Sequence, residues 1–297
     1  MPETNYPDGL TSRGMPVPGC DYGTTGSVFY VHSDGGGLGT SVSPFSTIDY
    51  AIGRCTANKG DVIRVMEGHS ETIVAAAGIA CDVAGITIVG MGNGTNRPTI
   101  NFTTATTADL DIDAANVKIE NIYFDLTGID AVAAAIDVNA ANFTMKNCDF
   151  LMADGTGQAA IAITTAAAAA SSNMKILGCN FLAPNAGATS AILVTGTPDN
   201  VEIGWCNING DFSDACIQNP TGNVATNLFI HDNFLKNDQT GDHAIQLVSA
   251  CTGSLVRNMY HSDLAQGTAA DTGSCFSFEN YHCDAIDVSG ILAPAAT

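Results

Sequence analysis

The sequence predicts an all-β chain wound as a right-handed parallel β-helix, with an extended N-terminal arm and a capping helix in front of it. Three observations lead there: a short strand-like motif recurs along the chain, apolar and polar residues alternate inside each copy, and a turn-forming residue follows at a fixed place. Written under one another, the copies start at Ile86, Val117, Phe143, Met174, Val201, Leu228, Ser254 and Phe276, which gives about eight coils at intervals of 22 to 31 residues. A period in that range marks stacked units that bury a core only against their neighbours.

Within each copy the first and third residues are apolar, Ser254 excepted, and the second and fourth are mixed. That period of two describes a strand with one buried face. The fifth position reads Gly90, Asn121, Asn147, Gly178, Trp205, Asp232, Asn258 and Asn280, mostly residues that accept a positive φ at least cost. Trp205 departs from the rule, and Gly204 beside it is expected to take the turn. The sixth position runs Met91, Ile122, Cys148, Cys179, Cys206, Asn233, Met259 and Tyr281, and Phe124, Phe150 and Phe181 stack two residues later. Upstream in each coil a further strand, centred on Ile79, Leu110, Ile136, Ile161, Ile192, Ile217 and Ile245, makes an aliphatic ladder. Parallel strands in successive coils, about 4.8 Å apart, place like on like in this way. The longer coils are expected to bulge at residues 183–190, 166–173 and 221–227, on the edges.

Three segments follow. Residues 1–27, with Pro2, Pro7, Pro16 and Pro18, read as an extended arm. Residues 28–60 hold an entry strand from Val28 to His32, a turn at Gly35 to Gly37, and a helix opened by Ser43 and Pro44. Phe45, Ile48, Ile52 and Cys55 share one face of that helix before the breaker Asn58-Lys59-Gly60. The helix is expected to cover the open end of the first coil, Asp61 to Gly68, because a bare coil end exposes unpaired strand groups. Residues 61–297 form the β-helix.

Composition narrows the function. Apolar residues make up 45% of the 297, which excludes intrinsic disorder. Thirty Asp and Glu against ten Lys and Arg give a formal charge of -20, which repels nucleic acid. No apolar run is long enough for a membrane span, and the polar, proline-bearing start is unlike a signal peptide. The ten cysteines contain no C-x-x-C pair, so reduced thiols of a cytosolic compartment are expected. Cys148, Cys179 and Cys206 fall in one inward column and read as small buried hydrophobes.

Two acidic constellations could carry chemistry. Asp109, Asp111 and Asp113 alternate with Leu110 and Ile112, and the repeat stacks Asp137 beside Asp111. Close carboxylates share a proton, rest in water as a solvated face, or hold a hard cation such as Ca²⁺. Asp214 and Asp242 precede their ladder isoleucines by three residues in adjacent coils, with His243 beside the second. Paired carboxylates with a histidine suit glycoside hydrolysis or uronate elimination, although Asp is common in β-helix turns for backbone reasons. The equivalent earlier positions, Ala133, Gln158 and Thr189, are not ionisable, and the bases at hand are Lys236 and Arg257. His231, Tyr260, His261 and His282 read as an exposed patch. No spacing supports zinc. Outward Leu177, Phe229 and Leu255 are expected to be buried between subunits of a cyclic homo-oligomer.

Several stretches carry a family likeness. They are Asn5-Tyr6-Pro7-Asp8-Gly9 with Arg13-Gly14-Met15-Pro16, Val28-Phe29-Tyr30-Val31, Pro44-Phe45-Ser46-Thr47-Ile48, Glu67-Gly68-His69-Ser70-Glu71, and the closing Phe278-Glu279-Asn280-Tyr281. The chain resembles β-helix virion proteins of tailed bacteriophages. The resemblance implies a structural, non-enzymatic role as a capsid decoration or cement protein on the outside of the particle, assembled in the bacterial host cytoplasm. It also implies a trimer, contacts with the major capsid protein or other virion components, and no cofactor. Residues Asn5, Tyr6, Pro7, Arg13, Pro16 and Pro18 are then part of an anchoring arm. Residues Pro44 to Thr72 also resemble the entry to pectate-lyase-like enzymes, whose catalytic motifs are missing here. The alternatives are a tail-associated polysaccharide depolymerase or lyase using Asp214, Asp242 and His243, and a fibre that binds host glycan through exposed Tyr123, Tyr260 and Phe234.

Overall fold

The computed structural model describes residues 26–154, 157–165, 169–264 and 268–283, together with the short strands Thr11–Ser12 and Met15–Pro16, which pair antiparallel. Asn5, Tyr6, Pro7, Arg13 and Pro18 lie outside the described residues. The rest is an all-β parallel solenoid. A ten-stranded sheet runs from Val28–Val31 and Val62–Val65 through to Phe276–Phe278, each strand pairing in parallel with the same segment one coil on. Each of the motif copies supplies one of its strands. Two further stacks complete the coil, one from Ser70–Ile73 to Tyr281–Cys283 and one from Ile79–Ala80 to Ala270–Thr272. Within the fifth and sixth coils these two stacks merge into the long strands Asn180–Leu193 and Asn207–Asn219. The expected bulge at 183–190 is a register irregularity inside that pairing.

The core is a set of columns along the axis. Ile79, Leu110, Ile136, Ile163, Ile192, Ile217 and Ile245 pair in register and are buried. Ile163 replaces Ile161 in that ladder. Ile161 is only half-buried and pairs with Ser190, two residues from the rung. Two apolar residues of the same parity make the sequence ambiguous there. Phe124, Phe150 and Phe181 stack nearly parallel at 4.7 and 4.6 Å, as expected.

Left-handed corners let the chain turn without loops. Asn121, Asn147 and Gly178 take φ of 59°, 51° and 63°. Trp205 itself adopts φ 55°, so the turn does not pass to Gly204. A bulky residue there costs about 1 kcal/mol or more. Gly204 has another duty: a Cβ on it would lie 2.5 Å from the His231 ring. A second corner opens successive coils at Asn116, Asn142, Asn173 and Asn200, where each of the last three side chains donates to the asparagine of the coil before at 2.8 to 3.0 Å.

The last two copies are shifted by one residue from the expected phase. Gly253, not Ser254, pairs with Leu228, and Leu255 is buried on Ile230 instead of facing outward. Gly253 has no side chain to show in a hydrophobic pattern. The corners are therefore Arg257 and Glu279, at φ 52° and 54°. Asn258 and Asn280 move into the sixth column, where Met259 and Tyr281 were expected. The interior column thus runs Cys148, Cys179, Cys206, Asn233, Asn258, Asn280. The described cysteines are free thiols. In the asparagine part, Asn233 Nδ2 donates to Asn258 Oδ1 at 2.9 Å, and Asn258 Nδ2 to Asn280 Oδ1 at 3.0 Å. Each amide also donates to a strand carbonyl of the coil before, Ile203, Ile230 and Leu255 respectively, at 2.8 to 2.9 Å.

The cap is a helix of five residues, Ile48–Ile52, shorter than expected. Thr47, not Ser43, is its N-cap, with the hydroxyl accepting from Tyr50 N. Phe45 is held in a bridge to Val31 and so cannot be helical. Ile48, Ala51 and Ile52 are buried against the first coils, and Glu71 Oε2 accepts the Ile48 N–H at 2.9 Å. No described helix is long and apolar enough to cross a membrane.

The register makes a sharp prediction. Ile163→Ala should lower unfolding free energy by about 2 to 5 kcal/mol, and Ile161→Ala by well under half of that, in paired denaturant melts. Equal losses would mean that the ladder has been misassigned.

Candidate functional site

Asp214 and Asp242 come together as expected. Ala215 pairs with His243, which sets the residues before them one coil apart. All three side chains are half-buried. Burial pushes the Asp242 carboxyl up, the Asp214 charge adds to the shift, and His243 opposes it. Asp263 and Asp211 contribute further negative charge, and the repeat pattern had picked out neither. Asp263 is tied to Gly241 N at 2.9 Å. The bases named for elimination are engaged: Lys236 Nζ with Asp238 at 2.6 Å and Arg257 with Asp232 through two bonds of 2.7 Å. A groove of about 640 Å³ opens beside the turns 220–224 and 248–250 and is lined by the in-register Gln218, Gln246 and Asp271. Asp214, Asp242 and His243 are not among its lining residues.

Asp109, Asp111 and Asp137 form the second constellation. Oxygens of these three carboxylates lie within 4.8 Å of one another. Asp113 stands apart, exposed and accepting from Asn139 Nδ2 at 3.0 Å. Asp109 Oδ1 accepts from Ala77 N, while Asp137 Oδ1 is buried without a hydrogen-bond partner. Burial, reinforced by the neighbouring carboxylates, pushes the Asp111 and Asp137 carboxyls up to about 6. An all-oxygen anionic set of this kind can hold a proton, or a hard divalent cation.

A third cluster escaped the sequence reading. His231 was expected on an exposed patch and is instead buried, its Nδ1 2.8 Å from Asp232 and its Nε2 3.4 Å from Glu202. Glu202 in turn pairs with Lys175 at 2.5 Å. Arg257, hydrogen bonded to both oxygens of Asp232, holds that carboxyl down to about 2, helped by His231. For Glu202, burial works upward but is outweighed by Lys175 and His231, and the net shift is down. Trp205 meets the His231 ring edge-on at 4.5 Å, and Phe229 stacks on it at 4.0 Å. The residues come from four successive coils, so no local motif announces them. Of the other members of the expected patch, Tyr260 is buried in the core and His261 and His282 are half-buried. With Tyr260 inside and Tyr123 half-buried, the expected Tyr123, Tyr260 and Phe234 groove does not form.

No family model and no curated protein sequence matches the chain. Solved structures do. A rhamnogalacturonan lyase aligns with TM-score 0.59 and 12% identity, over 80% of this chain and 68% of that one. The pectate lyase Pel9A gives 0.57 and 12%, over 91% and 81%, and a pectin methylesterase from carrot 0.52 and 13%, over 91% and 86%. At such identities the likeness is one of fold, the pectate-lyase-like parallel solenoid.

The acidic cluster predicts a pH dependence. Asp111 and Asp137 ionise at about 6 in the folded chain against an ordinary 3.8, so folding favours their protonated forms. Their contribution to stability is full below the ordinary value and is lost as pH rises through about 6. Asp111→Asn or Asp137→Asn should therefore raise Tm at pH 8 by a few degrees and leave it nearly unchanged at pH 4. A fall in Tm at pH 8 would contradict this.

Proposed function

We propose that the chain is a structural rod without enzymatic activity, assembled as a homo-oligomer and mounted on the outside of a bacteriophage particle as a decoration or cement protein. The observation that supports assembly is a change of polarity along the outward columns. In one column Asp149, Asn180 and Asn207 are followed in register by Phe234, Met259 and Tyr281, each more than 40% exposed. On the adjoining sheet the final strand exposes Phe276 and Phe278. From Asp149 onward this column changes from polar to apolar, which suits burial of its last part against another molecule. A second and third copy of the chain are the proposed occupants, by the trimer that the family resemblance implies. Leu177, half-buried, joins that surface poorly, and Leu255 not at all. The resemblance of the two ends supports the particle location, with residues 1–27 as the tether to the major capsid protein.

Exposed aromatic and methionine side chains of this size contribute about 1.5 to 3 kcal/mol each when buried. Replacing Phe234, Met259 and Tyr281 together by Ser should thus weaken self-association by about two orders of magnitude or more in sedimentation equilibrium, with the melt of the monomer intact. A parent chain that stays monomeric at high micromolar concentration would sink the assembly reading.

A second reading has specific support: the fold neighbours include a rhamnogalacturonan lyase and a pectate lyase, and Asp242, its carboxyl pushed up by burial and by Asp214 with His243 alongside, is suited to proton transfer. In it the chain is a polysaccharide depolymerase, with calcium at Asp109, Asp111 and Asp137 as its cation. Turnover of a host-surface polysaccharide that disappears in Asp214→Asn and Asp242→Asn, and a calcium-dependent Tm absent from Asp137→Asn, would favour it over the structural rod.

A further inference from the structure

Trp205 is the single tryptophan of the sequence. It occupies the corner that other coils give to Asn121, Asn147, Gly178 or Asp232, residues at ease with positive φ, or to the water-seeking Arg257 and Glu279. At that corner its indole is 60% exposed. A large apolar ring left mostly in water on a strained backbone gains little for folding. Such positions persist where the ring is used.

The surroundings are built to hold it. Gly204 leaves the space that the His231 imidazole fills, and Phe229 and Trp205 pack against two sides of that imidazole. His231 is fixed from both ring nitrogens by Asp232 and Glu202, and those carboxylates are fixed by Arg257 and Lys175. The result is a rigid aromatic platform with a rim of hydrogen-bonding groups, spread over four coils of one face.

We infer that this face binds a neutral saccharide, whose ring stacks on Trp205 and whose hydroxyls meet Lys175, Glu202, Asp232 and Arg257. The inference is independent of the assembly reading. A pyranose has an apolar face of C–H groups and an equatorial belt of hydroxyls that both donate and accept, which matches an indole ringed by paired charges. A protein partner fits worse. Dry interface centres are depleted of charge, and covering this indole with protein would strip water from four charged side chains. An anionic polymer fits worse too, since both rim cations are already paired and the chain carries a formal charge of -20.

The lone indole makes the test direct. The full chain is titrated with cello-, manno- and xylo-oligosaccharides and with oligogalacturonate up to tens of millimolar, reading tryptophan emission and, in parallel, calorimetric heat. At least one neutral oligosaccharide should shift the emission saturably, and Trp205→Asn, which restores a residue suited to the corner, should weaken its binding at least about tenfold by calorimetry. Trp205→Phe, keeping a ring, should bind between the two, which separates loss of stacking from loss of fold. Silence from every neutral sugar, binding of oligogalacturonate alone, or unchanged affinity in Trp205→Asn would overturn the inference. So would an emission shift that follows protein concentration with no sugar present, which would hand this face to a second copy of the chain.

Discussion

Everything in this molecule depends on side chains meeting their counterparts one coil away. A solenoid has a core only one coil wide, so a buried group finds its partners above and below it along the axis. Apolar columns satisfy the constraint by stacking, as the phenylalanines at 124, 150 and 181 do. Polar ones satisfy it only if every rung is hydrogen bonded, because an unpaired buried amide is costly. The asparagines at 233, 258 and 280 meet that condition by bonding to each other and to the strand carbonyls of the preceding coil. The same column is thiol in the earlier coils and amide in the later ones, and the switch occurs without any change in backbone path.

This constraint also explains which parts of the fold were legible in the sequence. Repeats with strong inward apolar residues announce their own register, which is why the strand motif, the ladder through Ile136, Ile192 and Ile217, and the phenylalanine stack were all readable. Errors fell where the signal has no side chain or two equivalent ones. Gly253 is silent, so the last coils slipped by one residue and Leu255 was placed on the wrong face. Ile161 and Ile163 are interchangeable by parity, and only pairing with Ile192 decides between them. The cap was misplaced for another reason. Ser43-Pro44 is good helix-start chemistry, but the bridge of Phe45 to Val31 overrides it and leaves Thr47 to cap.

Function is carried by what the outward columns do with their freedom. Pairs that the repeat places one coil apart could be read from spacing, and Asp111 with Asp137 and Asp214 with Asp242 are such pairs. The cluster around His231 is harder to read, because it joins two columns, Lys175, Glu202 and Phe229 in one and the corners Trp205, Asp232 and Arg257 in the other, through a histidine that fits only where Gly204 makes room. Its carboxylates are held ionised by Arg257 and Lys175, an arrangement that fixes geometry more than it moves protons. The acidic sets elsewhere have the opposite character, with protonation favoured by burial and crowding.

The most direct test of coil-to-coil support is a double-mutant cycle across one polar rung. Asn233→Ala, Asn258→Ala and the double variant are compared by equilibrium unfolding. Registry of the kind described predicts a coupling of at least about 1 kcal/mol between the two sites. Losses that add to within about 0.3 to 0.5 kcal/mol would show the two asparagines acting independently and would contradict the account.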